Sequence, residues 1–514
     1  MIVNPIRSPL RPPLRIPLER AGKLGFFGNG TRFNFATATV SSLVAQGMTN
    51  TVSTANPPGM VVAADGTLQY GAHNLLLNSA TLGTQSVTVV SGLQYTVAGY
   101  GTGSVTLSGG ATGTLSPGGA STQGSLTFTA STTSVTFTVS GSITSAQLNR
   151  GARVLDYVAT TAAPIYAPRL SYWGGVQRIR TEPGRTNDVL WSRDYTNAAW
   201  GKGGGLTVTA NNTASLNGTV DACLLTGVAA TNTYLNQQIT VTASTNRSVS
   251  WFVKGGTSTL SRCAVMISTL ASDIASAQIT WSGGVPSIGT LAGTWLVNPV
   301  AESWGSGWYR IKGSYATGAN VAVQVVYHPC YNNDATTGYL DHIQDELGIR
   351  ASFPIITGAA AVTRDTDLTR PPASFVTDGP QTVRVKFVPE QAANGGAQYL
   401  IGRTSLGAPV FLNGTGNAGV YDGVTQTATA VATADGATQT VASRWGSSAQ
   451  GISLNGGTLA TGVFDNTMGS GTTSALGSDG TAAGPFMGDI LSVESVASLA
   501  SDSQMLQLSA GTLS

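Results

Sequence analysis

Side chains able to do acid–base or metal chemistry are sparse in this sequence of 514 residues. It has three histidines, His73, His328 and His342, and it lacks an HExxH motif, a GxSxG turn between a strand and a helix, and a metal-ligand cluster. His342 follows Asp341, and we expect it at the surface, at the end of a strand, rather than in the role of a base. The histidines therefore predict neither a metal site nor acid–base catalysis.

Paired carboxylates are the second chemistry to consider, because glycoside hydrolysis needs two of them flanking the scissile bond. Glu182, Asp188 and Asp194 form one candidate set. Polysaccharide depolymerases carry such pairs on long parallel β-helices, and the sequence shows no repeat of β-helix rungs. A structural hydrogen-bonding role is the simpler interpretation of Asp194. We predict that the protein is not an enzyme and binds neither a cofactor nor a metal ion.

Aromatic side chains indicate a different chemistry, the binding of sugars by ring faces and a few planar polar groups. Seven of the nine tryptophans lie between residues 191 and 308, and most of these rings are expected to fill a core. Trp251, within the alternation of SVSWFVK, is the clearest core residue. Trp281 and Trp304 precede glycine turns and are the candidates for exposed platforms. Asp422 and Trp445 are further candidate carbohydrate-binding residues.

The composition favours strands over helices. Charged residues make up 10% of the chain, against about 25% in an average globular protein, and there are 65 glycines. Such a sequence builds few long salt-bridged helices, whereas Thr and Val suit strands and Gly suits tight turns. The formal net charge of +2 argues against nucleic acid or a membrane surface as the partner.

The three cysteines, Cys223, Cys263 and Cys330, form no CxxC motif, so we expect small buried side chains rather than a disulfide framework or a zinc site. This usage fits folding in a reducing cytoplasm. The amino-terminal sequence lacks the apolar core of a secretion signal, and no uncharged apolar run reaches the ~18 residues of a membrane span. We expect neither signal-directed secretion nor membrane insertion.

Residues 1–30 form a basic, proline-rich segment. Five prolines exclude a helix and favour extended chain. One acidic residue, Glu19, stands among five basic ones: Arg7, Arg11, Arg15, Arg20 and Lys23. One interpretation is a disordered tail. The other, which we adopt as a prediction, is an anchoring arm that leaves its own subunit and lies in an acidic groove of a partner protein.

Alternation of apolar and polar residues dominates after residue 73, as in SVTFTVSG, with Gly- and Ser-rich turns roughly every 8–12 residues. This pattern is typical of β-sandwiches. A spacing of Gln, Gly, Arg, Thr and two Ala occurs at residues 147–163 and again at 344–360. We interpret it as an internal duplication. We predict an irregular segment at 31–73, two related sandwiches at 74–163 and 187–362, and a linker at 164–186 between them.

Residues 375–514 are expected to form a third sandwich, with strand candidates such as VRVKFV, AQYLIG and GISLNGG. Its end, SLASDSQMLQLS, breaks the alternation, and Ser501 with Gln504 forms a capping box that predicts a short helix. The predicted fold class is all-β: tandem antiparallel, jelly-roll-like β-sandwiches with an extended amino-terminal arm and a short carboxy-terminal helix. Helix should account for less than roughly a tenth of the residues.

Several stretches resemble virion proteins of tailed bacteriophages. Residues 93–161, beginning LQYTVAGYGTGSVTLSGG, resemble a tail-fibre module, and RTNDVLWSRDYTNAAWGK at 185–202 resembles the opening of a companion module that is similar to carbohydrate-binding modules. SWGSGWYRI and IQDELGIRASFPIITGAAAVTR resemble later parts of that module. The terminal domain is similar to concanavalin-like or laminin-G-like lectin sandwiches through QYLIGR, LNGG and FMGDI. Asp188 departs from the leucine usual in the pattern, so the first strand is expected to begin later.

This resemblance implies a structural protein of the virion, a tail or head fibre or spike. The arm would anchor it to other virion proteins, and the sandwiches would meet glycans on the host surface. A homo-oligomer is implied, with a trimer favoured because strand faces of Thr and Ser can pack without desolvating ions. Such a protein is made in the host cytoplasm and released in the virion by lysis. The alternative is a capsid or tail decoration protein that stabilises the particle without binding a receptor.

Overall fold

The computed structural model describes residues 26–27, 30–50, 58–289, 296–404, 407–465, 468 and 473–513. Within them the chain is almost entirely β, and helix is confined to α1 (Val40–Ala45), a 3-10 turn (Ala373–Phe375) and α2 (Asp502–Ala510). The predicted all-β class and low helix content are confirmed. The composition explains this, because β-branched Thr and Val favour strands.

The carboxy-terminal helix begins as its sequence predicts. The backbone N–H of Gln504 donates to Ser501 Oγ at 3.3 Å, and the N–H of Ser501 donates to Gln504 Oε1 at 2.8 Å. This reciprocal capping box satisfies two amide donors that the helix cannot pair internally. At the other end of the chain, the predicted anchoring residues from Arg7 to Lys23 lie outside the described residues.

The segment 31–73, expected to be irregular, carries short strands: β1 (Thr31–Asn34), β2 (Thr49–Asn50), β3 (Met60–Val62), β4 (Leu68–Tyr70) and, at its end, β5 (His73–Asn74). β1 pairs antiparallel with the distant strand Gly488–Val496, which places Phe33 opposite Val493. Phe33 and Phe35 are buried in the core of the terminal sandwich. The expectation of irregular chain is therefore corrected here, since a local pattern cannot reveal a partner strand so far along the sequence.

The first sandwich consists of two antiparallel sheets. Its strands are β6 (Gln85–Thr88), β7 (Gln94–Gly101), β8 (Ser104–Gly109), β9 (Gly113–Leu115), β10 (Gly119–Thr129), β11 (Ser134–Ser140) and β12 (Ile143–Arg150). One sheet has the order β10-β7-β12 and the other has the order β6-β11-β8-β9. Val135 and Phe137 of β11 lie in the core between the sheets, whereas Thr136 and Thr138 lie on the opposite face.

Residues 164–186, expected to be a linker, also contain strands. These are β13 (Ile165–Tyr166), β14 (Leu170–Trp173) and β15 (Val176–Thr181), and β16 (Arg185–Asn187) follows. β14 and β15 pair with each other, and β15 also pairs with Gly488–Val496. Ile179 of β15 is fully buried in the terminal core. The segment thus belongs to the terminal sandwich, since β15 adds a strand to its sheet and Ile179 is buried in its core.

The second sandwich is formed by β17 (Gly201–Gly203), β18 (Thr207–Ala214), β19 (Val220–Thr226), β20 (Tyr234–Thr240), β21 (Asn246–Gly255), β22 (Leu260–Ile267), β23 (Asp273–Ser282), β24 (Val285–Gly289), β25 (Val297–Ser303), β26 (Trp308–Ala316), β27 (Ala322–His328) and β28 (Thr337–Leu347). We call the sheet β17-β20-β27-β22-β23-β24 the outer sheet and β18-β19-β28-β21-β26-β25 the inner sheet. The ring of Trp251 is fully buried between them, as predicted.

The terminal sandwich draws strands from separated stretches of the chain. After β29 (Val362–Arg364) come β30 (Thr369–Arg370), β31 (Gln381–Pro389), β32 (Gln398–Arg403), β33 (Ala408–Leu412), β34 (Asn417–Tyr421), β35 (Gln426–Ala432), β36 (Gln439–Gly446), β37 (Ala449–Leu454), β38 (Ala460–Val463), β39 (Ser474–Leu476) and β40 (Gly488–Val496). One sheet runs β14-β15-β40-β31-β36-β37-β38, with β1 also on β40. The other runs β35-β34-β33-β32-β39-β30-β2-β13-β5.

The first and second sandwiches share one buried hydrogen-bond frame. Gln147 donates to the carbonyl eight residues later and accepts from the N–H eleven residues later. Gln344 makes the same two bonds at the same separations. Asn74 and Asn187 each donate to two backbone carbonyls and accept from the N–H two residues later. Identical bonds at matched positions are expected of a duplicated module rather than of chance similarity.

The rest of the repeated motif follows the same frame. The hydroxyls of Thr160 and Thr357 donate to the carbonyls of Leu76 and Val189, which occupy equivalent places after the framing asparagines. The motif glycines take positive φ angles, +100° at Gly151 and +116° at Gly348, which other residues rarely adopt. The spacing found in the sequence therefore marks structurally equivalent positions.

A buried ionic joint connects the second sandwich to the terminal sandwich. Glu182 is 1% exposed and accepts from Arg169 Nη1 at 2.9 Å and from Arg180 Nη2 at 2.9 Å. The N–H of Phe353, from the second sandwich, donates to the same carboxylate at 2.8 Å. The centre of the Phe353 ring lies 5.6 Å from the guanidinium of Arg169 and 4.8 Å from that of Arg180, within the range of cation–π contacts. The second sandwich thus meets this network through the N–H and the ring of Phe353, while Arg169 and Arg180 also pair with Asp367 and Glu390.

Candidate functional site

The tryptophans predicted to be exposed platforms are buried instead. Trp281 and Trp304 are each 7% exposed. The indole N–H of Trp281 donates to Ser261 Oγ at 2.9 Å, and that of Trp304 donates to the Glu302 carboxylate at 2.9 Å. Trp304 also packs edge-on against Phe252. The prediction was wrong because a glycine turn beside a ring does not decide which way the ring points.

The other two carbohydrate-binding candidates are also structural. Asp422 is fully buried and accepts backbone N–H bonds from Val424 at 2.9 Å and Thr425 at 2.6 Å, which close a turn. Trp445 is fully buried in the terminal core, and its indole N–H donates to the carbonyl of Thr377 at 3.1 Å. Neither side chain can meet a ligand in this conformation.

The carboxylates considered for hydrolysis lie in separate environments. Glu182 belongs to the ionic joint, where burial alone would raise its pKa but the guanidinium groups of Arg180, Arg364 and Arg169 hold it well below its usual range. Asp188 pairs with Arg247, and Asp194 accepts two bonds within its own turn. The three therefore form no catalytic pair.

Metal and membrane chemistry gain no support from the residues that can be described. Among them, no group of three or more His, Cys, Asp or Glu side chains is placed to hold a metal ion. No helix in the described part of the chain is both long enough and apolar enough to cross a membrane. Cys223, Cys263 and Cys330 are buried free thiols, and burial raises the pKa of Cys223 to about 11, which leaves it protonated and unreactive.

A more suitable surface lies on the outer sheet of the second sandwich. Val325 of β27 and Cys263 of β22 point into the core, so their strand neighbours point to the other face. That face, which we call the outer face, carries a row in which His328 lies opposite Arg262, and Arg262 opposite Gln278. The ring of Tyr234 lies 5.7 Å from that of His328, so it continues the row on the other side.

Aromatic and cationic groups cluster at one end of this outer face. The ring of Tyr331 stands edge-on to His328 at 5.4 Å, and the guanidinium of Arg262 lies 5.2 Å from the centre of the same ring. Arg262 also pairs with Asp273. Tyr234 and Tyr331 are both partly exposed. Two ring faces beside a guanidinium and a carboxylate offer stacking and bidentate hydrogen bonds to one ligand.

Side-chain amides cover the other end of the outer face. Asn236 Nδ2 donates to Gln324 Oε1 at 2.9 Å, and Gln324 Nε2 donates to Gln238 Oε1 at 3.3 Å. Between the two ends, Ala264 lies opposite both Val326 and Ser276, and all three side chains are buried. We call this strip with its two polar ends the trough; the partly exposed side chains at its ends are the groups that a ligand can reach.

His328 is a buried titratable group of this trough. It is 3% exposed, both of its ring nitrogens are enclosed, and the ring contacts the backbone of Thr233. Burial, reinforced by the adjacent Arg262 charge, lowers its pKa to about 3, so the ring is neutral at physiological pH. Because both ring nitrogens are enclosed, His328 contributes to the trough through its contacts with the rings of Tyr234 and Tyr331.

The first sandwich provides an internal comparison for this face. The matched registers place Ser140 where the second sandwich has His328, and Ser104 where it has Arg262. The surrounding positions on that sheet are Ser86, Thr106 and Thr136. The duplicated modules keep the buried frame, yet only the second carries aromatic, cationic and amide groups on this face.

Sequence reasoning missed the outer face because it chose three tryptophans and one aspartate by residue type and did not compare the faces of the strands. The available signal was alternation in YLNQQIT, which places Tyr234, Asn236 and Gln238 on one face of β20. The corresponding strand of the first sandwich, β6, carries Ser86 and Thr88 on that face. Comparing the outward faces of the two repeats would have singled out these residues.

No family model matches the chain, and neither does any curated protein. Among solved structures, it is similar to the CBM40 of Ruminococcus gnavus IT-sialidase bound to alpha2,3 sialyllactose, at 17% identity over 26% of this chain and 83% of that one, with a TM-score of 0.22. It is also similar to the CBM22-1–CBM22-2 tandem of Paenibacillus barcinonensis Xyn10C, at 13% identity over 62% of this chain and 96% of that one, with a TM-score of 0.24. A third similar structure is that of domains LG4-5 of the mouse laminin alpha1 chain, at 9% identity over 59% of this chain and 90% of that one, with a TM-score of 0.18. TM-scores this low carry no argument about ligand.

Proposed function

We propose that this chain is a non-catalytic attachment protein of a tailed-phage virion that binds a surface glycan through the outer face of its second sandwich. The observation that carries the glycan site is the contrast between the repeats. Where the first sandwich has Ser104 and Ser140, the second has Arg262 and His328, within an unchanged buried frame. The virion setting, the anchoring arm and a trimeric assembly are parts of the proposal that rest on the sequence resemblance.

The chemistry of the trough suits a carbohydrate. Partly exposed Tyr234 and Tyr331 can stack on the apolar faces of sugar rings, while the amides of Asn236 and Gln238 can bond hydroxyl groups. His328, neutral at physiological pH, contacts the rings of both tyrosines and would help to position them. Arg262, paired with Asp273, adds a charged pair at one end of the trough, so recognition would combine ring stacking, neutral hydrogen bonds and contacts with this pair.

The ionic joint gives such a protein a rigid geometry. Glu182 and Phe353 hold the second sandwich against the terminal sandwich through buried contacts. A rigid joint would present the outer face in a constant direction on a particle. The same rigidity would serve a decoration protein that binds no receptor, which is the alternative function.

Binding to a panel of bacterial surface oligosaccharides separates the two functions. The panel should include fragments of lipopolysaccharide, capsule and teichoic acid. We expect the full chain to bind at least one class, the Arg262→Ala variant to bind it at least ~10-fold more weakly, and Ser104→Ala to bind like wild type. Ser104→Ala is the matched control because it alters the equivalent position of the first sandwich. Absence of binding to every class would favour the decoration protein.

A further inference from the structure

A cavity of about 160 Å³ lies where the first sandwich, the second sandwich and the β3–β4 hairpin meet. Its wall combines Tyr70 from the hairpin, Arg150 from the end of β12, and Asp341 and His342 from β28. It is separate from the outer face, because β28 belongs to the inner sheet. A space of this size is below the ~300–1,000 Å³ of a drug-sized pocket and suits a group no larger than a single sugar ring.

The cations of the cavity differ in how they are compensated. Arg193 pairs with Asp341 at 2.6 Å, and Arg153 pairs with Asp65 at 2.8 Å. Arg150 is 6% exposed, yet no carboxylate of the described residues lies within ion-pair distance of it. Its guanidinium lies 5.9 Å from the centre of the Tyr95 ring. A buried guanidinium without a counter-charge favours an anion in the space beside it.

His342 supplies a second polar group to the cavity, and the neighbouring Gln344 determines which of its ring nitrogens carries the proton. Gln344 Nε2 donates to Ser352, and Gln344 Oε1 accepts from the N–H of Ile355 at 2.7 Å, which fixes the orientation of that amide. His342 Nε2 lies 3.3 Å from Gln344 Oε1, so it must be the nitrogen that carries the proton. His342 Nδ1 is then a buried acceptor, and it has no partner in the described structure. Because His342 lines the cavity, this nitrogen is available to accept a hydrogen bond from a donor bound there.

The neutral state of His342 is stable. Its ring is 1% exposed, and burial lowers its pKa to about 3, while Arg193 and Arg310 lower it further and Gln344 acts in the opposite direction. Nδ1 therefore remains an acceptor at physiological pH. The groups that face the ring include Phe252, at 5.9 Å between ring centres.

We propose that this cavity binds a small hydroxylated carboxylate, with the carboxylate on Arg150 and a hydroxyl donating to His342 Nδ1. A sugar acid of one ring has both groups. The ligand would touch both sandwiches and so hold them together. This site is independent of the outer face and would exist whether or not the outer face binds a glycan.

Calorimetric titration of the full chain with sodium glucuronate and sodium galacturonate tests the proposal. We expect saturable binding of at least one of them, with glucose and acetate each at least ~10-fold weaker, because glucose lacks the charge and acetate lacks the hydroxyl. Arg150→Gln should weaken uronate binding at least ~10-fold, and the remote surface variant Arg350→Gln should not change it.

A lack of uronate binding by wild type, equal binding of glucose, or unaltered binding by Arg150→Gln would each overturn the proposal. If circular dichroism shows that Arg150→Gln does not fold, Arg150→Lys replaces it. Lys keeps the charge but not the planar fork, so binding should be retained at reduced affinity. Binding by the lysine variant that equals wild type would also contradict the role given to Arg150.

Discussion

Arg262 of the second sandwich occupies the position that Ser104 occupies in the first, and each pairs in register with the last residue of a neighbouring strand, His328 and Ser140 respectively. The buried frame around these pairs is the same in both modules, as the matched bonds of Gln147 and Gln344 show. A duplicated scaffold whose interior is retained and whose outward face differs is expected when one copy carries the binding surface.

The ionic joint should respond strongly to loss of one partner. Glu182→Ala leaves the guanidinium groups of Arg169 and Arg180 buried without their shared carboxylate, and we expect a loss of about 3–5 kcal/mol in the free energy of unfolding. Asp65→Asn, which disrupts a solvent-exposed pair with Arg153, should cost at most about 1 kcal/mol. Denaturant unfolding monitored by tryptophan fluorescence measures both. Equal effects of the two variants would show that the joint is not structurally important.

The buried histidines predict acid lability at mildly acidic pH. Burial lowers the pKa of His73 to about 4 and those of His328 and His342 to about 3, whereas an unfolded chain has a histidine pKa near ~6.5. Burial of the neutral rings therefore costs no stability above pH ~6.5. As the pH falls from there toward the folded-state pKa values of about 3 to 4, the unfolded chain takes up protons that the folded protein does not, and the free energy of unfolding decreases. Together the three histidines lower the free energy of unfolding by about 4 kcal/mol for each pH unit in that range.

Asp345 opposes this trend in part. Burial raises its pKa to about 6, so it takes up a proton more readily folded than unfolded and offsets about 1.4 kcal/mol per pH unit below that value. Thermal unfolding between pH 7 and pH 5 should show falling stability, while the histidine ring resonances of the folded protein should not titrate in this range. A ring resonance that titrates near pH 6.5 would contradict the assigned burial.

Trp304 should behave as a core residue rather than a binding platform. It packs against Trp173 at 5.1 Å and Phe353 at 5.1 Å between ring centres, beside the ionic joint. Trp304→Ala should lower the free energy of unfolding by about 3–5 kcal/mol. At a temperature where the Trp304→Ala variant is still folded, its affinity for the glycan should stay within ~3-fold of wild type. A variant of unchanged stability that lost binding would restore the platform interpretation.

The arm remains a prediction from sequence, and the structure indicates where to cut it. Phe27 is 5% exposed and packs with Met505 and Leu508 of α2, so a deletion should stop before these contacts. Removing residues 1–25 should leave the melting temperature within about 2 °C of wild type and abolish incorporation into virions. Incorporation at normal occupancy would transfer the anchoring role to the sandwiches.

Local pattern was sufficient for the strands and for the duplication, since alternation and turn residues act over a few positions. It did not find that Phe33 and Ile179 belong to the terminal sandwich, because their partner strand begins at Gly488. It placed His342 at the surface, although a buried strand of the inner sheet carries it. It also chose binding tryptophans by residue type, whereas Tyr234 is recognisable only by the face it shares with other polar residues.

Hydrogen–deuterium exchange with a bound glycan tests the central claim most directly. The tightest-binding oligosaccharide of the panel is added to the full chain, and amide exchange is compared with and without it. We expect slower exchange in β20, β22 and β27, which carry the outer face, and no change in β8 and β11 of the first sandwich. Protection confined to the first or the terminal sandwich would contradict the assignment of the outer face as the ligand-binding surface.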